Sequence, residues 1–202
     1  MKYIYKKVLV LAIALIGCKI YADEITLGKV DCIKIENGNA YDRECRLRYD
    51  GNYYLQINSS YTISWIEIDQ QQLESLRNMM LKFNEWKQIA KENKTDVNKE
   101  IPNSRISSKV LWQEGKKFCT SSYNIHLIFY CATVDNGESA SLILRSTEVH
   151  DKSNEYFTFE TGSILFIDSA ADEFIEMISQ QNIDKKIEEN KNKKNKSDNL
   201  FN

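Results

Sequence analysis

The chain has 202 residues, 42% of them hydrophobic and 11% aromatic, a composition ordinary for a globular protein with one sizeable core or two small packed units. Its formal charge is −2, which becomes −5 without the three lysines Lys2, Lys6 and Lys7 near its start. A mild acidic balance of this kind argues against a dedicated nucleic-acid or anionic-membrane binder.

Those three lysines precede an uninterrupted apolar run, Val8 to Ile16, that ends at Gly17-Cys18. A basic start, a short apolar stretch and a small-residue exit describe an export signal. A transmembrane helix needs about 20 apolar residues. The chain is therefore expected to be exported, with residues 1–22 as its signal. Two cleavage sites compete. Leu15-Ile16-Gly17-Cys18 resembles the lipobox of bacterial lipoproteins. That resemblance implies that Cys18 carries acyl chains, becomes the new N-terminus and anchors the protein to the lipid bilayer of the cell envelope. The alternative is a cut after Ala22, in Ile20-Tyr21-Ala22, which would release a soluble periplasmic or secreted protein.

The body, residues 23–183, reads as strands, a helix, strands and a helix. Ile25–Ile35, Ala40–Tyr49, Tyr53–Ser59 and Tyr61–Ile68 are rich in β-branched and aromatic residues, broken by the turn dipeptides Asn37-Gly38 and Asp50-Gly51. Asp69 is a good N-cap, with Gln72 completing a capping box. Leu73, Leu76, Met80, Phe83 and Trp86 then recur at helical spacing, and the helix extends to about Glu92. Asn93–Arg105 is polar, holds Pro102, the only proline, and reads as a linker. Apolar runs follow at Val110–Trp112, Ile125–Val134, Ser141–Val149, Tyr156–Phe159 and Ile164–Ile167. Asp135-Asn136-Gly137-Glu138 is a hairpin turn. A second helix opens at Asp168 or Ser169, capped by Asp172. Residues 184–202 are Lys/Asn-rich and are expected to form a disordered tail. The fold class is α+β: two antiparallel β-rich units, about 25–92 and 105–183, each closed by an amphipathic helix and consistent with a duplication. This order, four strands and a helix used twice, resembles the whirly-type single-strand-binding architecture.

Beside Cys18, four cysteines remain: Cys32, Cys45, Cys119 and Cys131. An even number in an oxidising compartment suggests disulfides. If Asn37–Ala40 is a four-residue loop, Glu36 faces Tyr41 and Cys32 faces Cys45. Cys119 and Cys131 are then left to each other.

No residue is assigned a catalytic role, and neither a metal nor a cofactor is expected. His126 lies in a strand, where the Asn136-Gly137 turn would place it opposite Thr147. His150 sits between Glu148 and Asp151 without recognisable ligand spacing. Tyr41, Tyr49, Tyr53, Tyr54 and Tyr61, with Arg43, Arg46 and Arg48, concentrate interface-type residues in the first half. The sequence thus favours an exported cell-envelope lipoprotein that binds an unknown protein or ligand through a sheet face and is not an enzyme. One alternative is a secreted enzyme or effector with a spatially assembled site. The other is a single-strand nucleic-acid binder, which export and net charge disfavour.

Overall fold

The computed structural model describes residues 24–58 and 62–200; the expected export signal with Cys18 and Ala22, together with Tyr61, lies outside the described residues. The first half is a meander of four antiparallel strands: β1 (Ile25–Glu36), β2 (Asn39–Tyr49), β3 (Tyr53–Asn58) and β4 (Thr62–Ile68). Helix α1 (Gln70–Glu92) follows. Its capping box forms as the sequence predicts: Gln72 N–H donates to Asp69 Oδ1 at 2.7 Å, and Asp69 N–H donates to Gln72 Oε1 at 2.8 Å.

The second half supplies β5 (Asn98–Glu100), β6 (Ile106–Ser108), β7 (Val110–Glu114), β8 (Lys117–Thr120), β9 (Ile125–Val134), β10 (Ser139–Ser146), the short β11 (Val149–His150) and β12 (Thr158–Phe159), and β13 (Ser163–Ile167). Two helices, α2 (Ser169–Met177) and α3 (Gln180–Leu200), complete the described chain.

The halves are joined into one antiparallel sheet, because β1 pairs with β13 and β4 pairs with β7. The sheet then meets itself. β6 pairs with β9, and after the single residue Lys109 the same strand moves across as β7 to pair with β4. Two hydrogen bonds staple this crossing: Glu67 N–H donates to the Lys109 carbonyl, and the Ser108 hydroxyl donates to the Glu67 carbonyl. The ring runs β9, β10, β13, β1, β2, β3, β4 and the bent β6–β7 strand. Alternation dictates its inner face. Gly28, Leu47, Leu55, Ile66 and Val110 form one row across the strands, and Val30, Cys45, Ile57, Ser64, Trp112 and Cys119 the next.

All three helices press their apolar residues on this face and share one continuous core. Phe174 of α2 lies on Phe166 of β13, with ring centroids 4.5 Å apart. Met177 fills the space above Gly28, where a Cβ would come within 2.6 Å of it.

Three expectations are corrected. Residues 93–105 are not a free linker. Ile101 N–H donates to the Phe129 carbonyl, and β5 pairs with β9, so this polar stretch forms an edge of the sheet. The tail is not disordered either, since α3 is helical through Leu200. Ile183 is fully buried and Ile187 packs on the core, which anchors a segment that composition alone suggested could not fold. Finally, α2 is not capped by its own acidic residues. Asp168 precedes it at φ +49 and accepts from Ser139 Oγ and Ala140 N–H instead, tying the helix start to β10.

A candidate binding groove on the outer sheet face

Residues on the outer face of β2, β3, β4, β7 and β8 form a second set of rows. Arg46, Gln56, Trp65, Leu111 and Thr120 are aligned across the strands. Arg48, Tyr54 and Glu67 form the row on one side, and Asn58, Ile63, Gln113 and Phe118 the row on the other. Trp65 and Leu111 therefore face each other directly, with Ile63 and Phe118 as diagonal neighbours. The Trp65 and Phe118 rings stack at 6.5 Å with 24° between their planes. Phe118 is 60% exposed, Leu111 38% and Ile63 36%, so a contiguous aromatic and aliphatic surface faces solvent.

A groove of about 420 Å³ runs from these rings to a polar end made by Glu24, Arg48, Asp50 and Tyr54. The polar end is pre-arranged. Arg48 Nε sits 2.7 Å from Glu24 Oε1, and its Nη1 donates to Gln56 Oε1 at 2.8 Å. Burial is the main reason the Tyr54 hydroxyl titrates above its ordinary value, with Asp50, Glu67 and Glu24 adding to the rise. The phenol thus stays a neutral hydrogen-bond donor. Such a site offers ring faces at one end and a fixed ion pair at the other, which suits recognition.

The cluster of tyrosines and arginines singled out in the sequence is divided by this geometry. Tyr54, Arg46 and Arg48 point outward, and Tyr54 and Arg48 line the groove. Tyr49 and Tyr53 face each other across β2 and β3 on the inner side, at 5.0 Å, against the core. Arg43 lies over the Tyr41 ring at 5.0 Å, away from the groove. Sequence reasoning missed Trp65, Leu111 and Phe118. The signal for Trp65 was present in the alternation of β4, but β8 lay in no predicted strand, so its neighbour Phe118 had no face.

Two other concavities are less suited to binding. One of about 710 Å³ lies over the outer face of β13, β1 and β2, with Ile33, Leu165 and Ile167 as floor and Asp31, Asp42 and Glu44 as rim. Glu44 is already engaged by Lys29 and Arg46, and the Arg46 hydrogen bond is the main cause of its lowered pKa. The other, about 580 Å³, is a loop pocket containing Tyr123, His150 and Asp151. His150 Nδ1 donates to the Glu155 carbonyl at 2.9 Å. Asp151 is turned inward to Thr120 N–H, Ser153 Oγ and Lys117. Among the described residues no group of histidine, cysteine and carboxylate side chains is placed to hold a metal ion. His126 is exposed on β9, and Thr147 N–H donates to its carbonyl, the partner that the turn predicted.

Comparison with protein-family models, curated proteins and solved structures finds no match for the chain.

The four described cysteines are free and buried. The register argument for a Cys32–Cys45 bridge is corrected by the β1–β2 turn. Asn37 and Gly38 both take positive φ, 50° and 75°, so the loop has two residues, not four. Glu36 therefore faces Asn39, Cys32 faces Arg43, and Cys45 faces Val30. Cys119 lies opposite Trp112, and Cys131 opposite Leu142 and Lys99. Burial pushes the Cys32 thiol up to about 12 and Cys131 to about 11, and raises Cys45 and Cys119 as well. All four are thereby poor nucleophiles.

Proposed function

We propose that this is an exported cell-envelope lipoprotein, anchored through acylated Cys18, that binds a protein partner through the outer-face groove around Trp65 and Phe118. The observation that carries the binding reading is the exposed, contiguous Trp65–Leu111–Phe118–Ile63 surface, framed by the Arg48–Glu24 pair. Aromatic residues ringed by polar groups mark interface hot spots. Leu111 and Ile63 widen the patch with aliphatic surface, which favours a protein side chain over a sugar ring. The export and anchoring reading rests on the Leu15-Ile16-Gly17-Cys18 motif. The protonated, buried thiols and the inward-turned Asp151 support a non-enzymatic role. The recurrence of a strand run followed by a helix supports reading the fold as a duplicated unit.

Site-specific photo-crosslinking in cells tests the groove. A photoreactive phenylalanine at Phe118 should give a discrete protein adduct, one at Tyr156 should not, and Trp65→Ala should abolish the first. Tyr156 is 89% exposed on a separate loop and is the control for random collision. Equal labelling at both positions, or labelling at Phe118 that survives Trp65→Ala, would overturn the groove as the site.

A further inference from the structure

The charge of this chain is unevenly placed. Lys191, Lys193, Lys194 and Lys196 fall within one stretch of α3 that contains no carboxylate, and residues 191–197 are exposed at every position. The base of the same helix is fixed. Asn182 Nδ2 donates to the Leu27 carbonyl at 3.3 Å and to the Met177 carbonyl at 3.1 Å, and Ile183 is fully buried. The root of the cationic arm therefore sits beside the start of β1, where the chain arrives from its N-terminal leader.

We infer that residues 191–197 of α3 dock on an anionic lipid surface as a second, electrostatic membrane contact. The inference rests on the lipoprotein reading for its distances. The chain from Cys18 to Glu24 spans at most about 20 Å when fully extended. The part of α3 beyond Asn190 reaches roughly 15 Å at helical rise. Charges on an exposed arm act only within a Debye length of about 8 Å at physiological salt. At helical rise Lys191 to Lys196 stand about 12 to 20 Å beyond the buried Ile183, a length the tether matches, so the acyl anchor and the arm can meet the same bilayer. Anionic bilayers are the complementary surface, and a basic segment close to the membrane gains about 1 kcal/mol per lysine from it. The net negative charge does not oppose this, because α3 from Asp184 to Asp198 carries six lysines against Asp184, Glu188, Glu189 and Asp198 and is locally cationic.

The test uses the chain from Lys19 onward, which lacks Cys18 and so carries no acyl groups, in co-sedimentation with vesicles. It should bind phosphatidylcholine vesicles containing a quarter phosphatidylglycerol at low salt, release at high salt, and ignore pure phosphatidylcholine. Each surface lysine is worth roughly a fivefold gain in partitioning. Changing Lys191, Lys193, Lys194 and Lys196 together to Gln should thus weaken binding by roughly six hundredfold. Unchanged binding by that variant, or equal binding to uncharged vesicles, would overturn the inference. So would tighter binding of a single-stranded oligonucleotide than of the anionic vesicles. Lipidation is read separately, from the mass of the mature N-terminus recovered from membranes. An unmodified Asp23 start would remove the anchor and leave the vesicle result to stand or fall alone.

Discussion

Asp151 shows how much one carboxylate can organise. Its side chain is 3% exposed, accepts from Ser153 Oγ at 2.5 Å and Thr120 N–H at 3.0 Å, and lies 3.4 Å from Lys117 Nζ. The Ser153 hydroxyl first, then the Thr120 amide and Lys117, hold it down from the ordinary 3.8 to about 2. A carboxyl whose pKa falls on folding adds stability above its unfolded value, and that stability is lost as pH drops through the folded value. Asp151→Asn should therefore unfold at lower denaturant than the parent at pH 7. The gap should shrink as the pH is lowered from about 4 to about 2. Denaturant melts across that range provide the check, and a gap that does not change with pH would count against this role. Nothing in the sequence marked Asp151 out, because its partners lie on β8 and in its own loop, and β8 itself was unpredicted.

The hairpins show why some elements could be read from sequence and others could not. Asn136-Gly137 and Asn37-Gly38 carry the same turn signal. In the first, the loop occupies residues 135–138, and the predicted register, with His126 beside Thr147, is correct. In the second, the loop has two residues, and every partner from Glu36 back to Gly28 moves by two positions while staying on its own face. Alternation thus revealed which residues are inside, and only loop length decided which ones meet. The α1 cap was legible because it is local, whereas β5 and β6 were hidden because they borrow their order from β9. The β9–β10 turn also makes a tertiary contact. Gly137 has φ +81, and a Cβ there would lie 2.5 Å from the Ala90 carbonyl near the end of α1. Lys91 pairs with Glu138 across the same junction. Gly137→Ala should cost more than about 2 kcal/mol, combining left-handed strain with a backbone clash. Gly115→Ala, at φ +59 with nothing within 4 Å, should cost only about 1 kcal/mol. Thermal denaturation of the two variants separates these cases, and equal losses would mean that the turn does not dock.

On the scale of the whole molecule, the sheet and helices form a single core, with the exposed end of α3 outside it. Removing the residues after Asn190 should leave stability within about 0.5 kcal/mol, the scale of exposed changes. Removing α3 from Gln180 onward takes the buried Ile183 with it, and losing one such side chain costs about 2–5 kcal/mol. Calorimetry of the two truncations should show a near-parental transition for the first and a large downward shift for the second. A cooperative loss of folding from the shorter truncation would show that the arm is packed. The closure of the sheet has a further consequence for how the protein is made. Ile33 of β1 pairs with Leu165 of β13, at the opposite end of the chain. The first described strand therefore waits for the last one before its edge is covered. High contact order of this kind makes folding slow. Until β13 is made, the outer edge of β1 has no partner to pair with, so the ring can close only once synthesis is nearly complete.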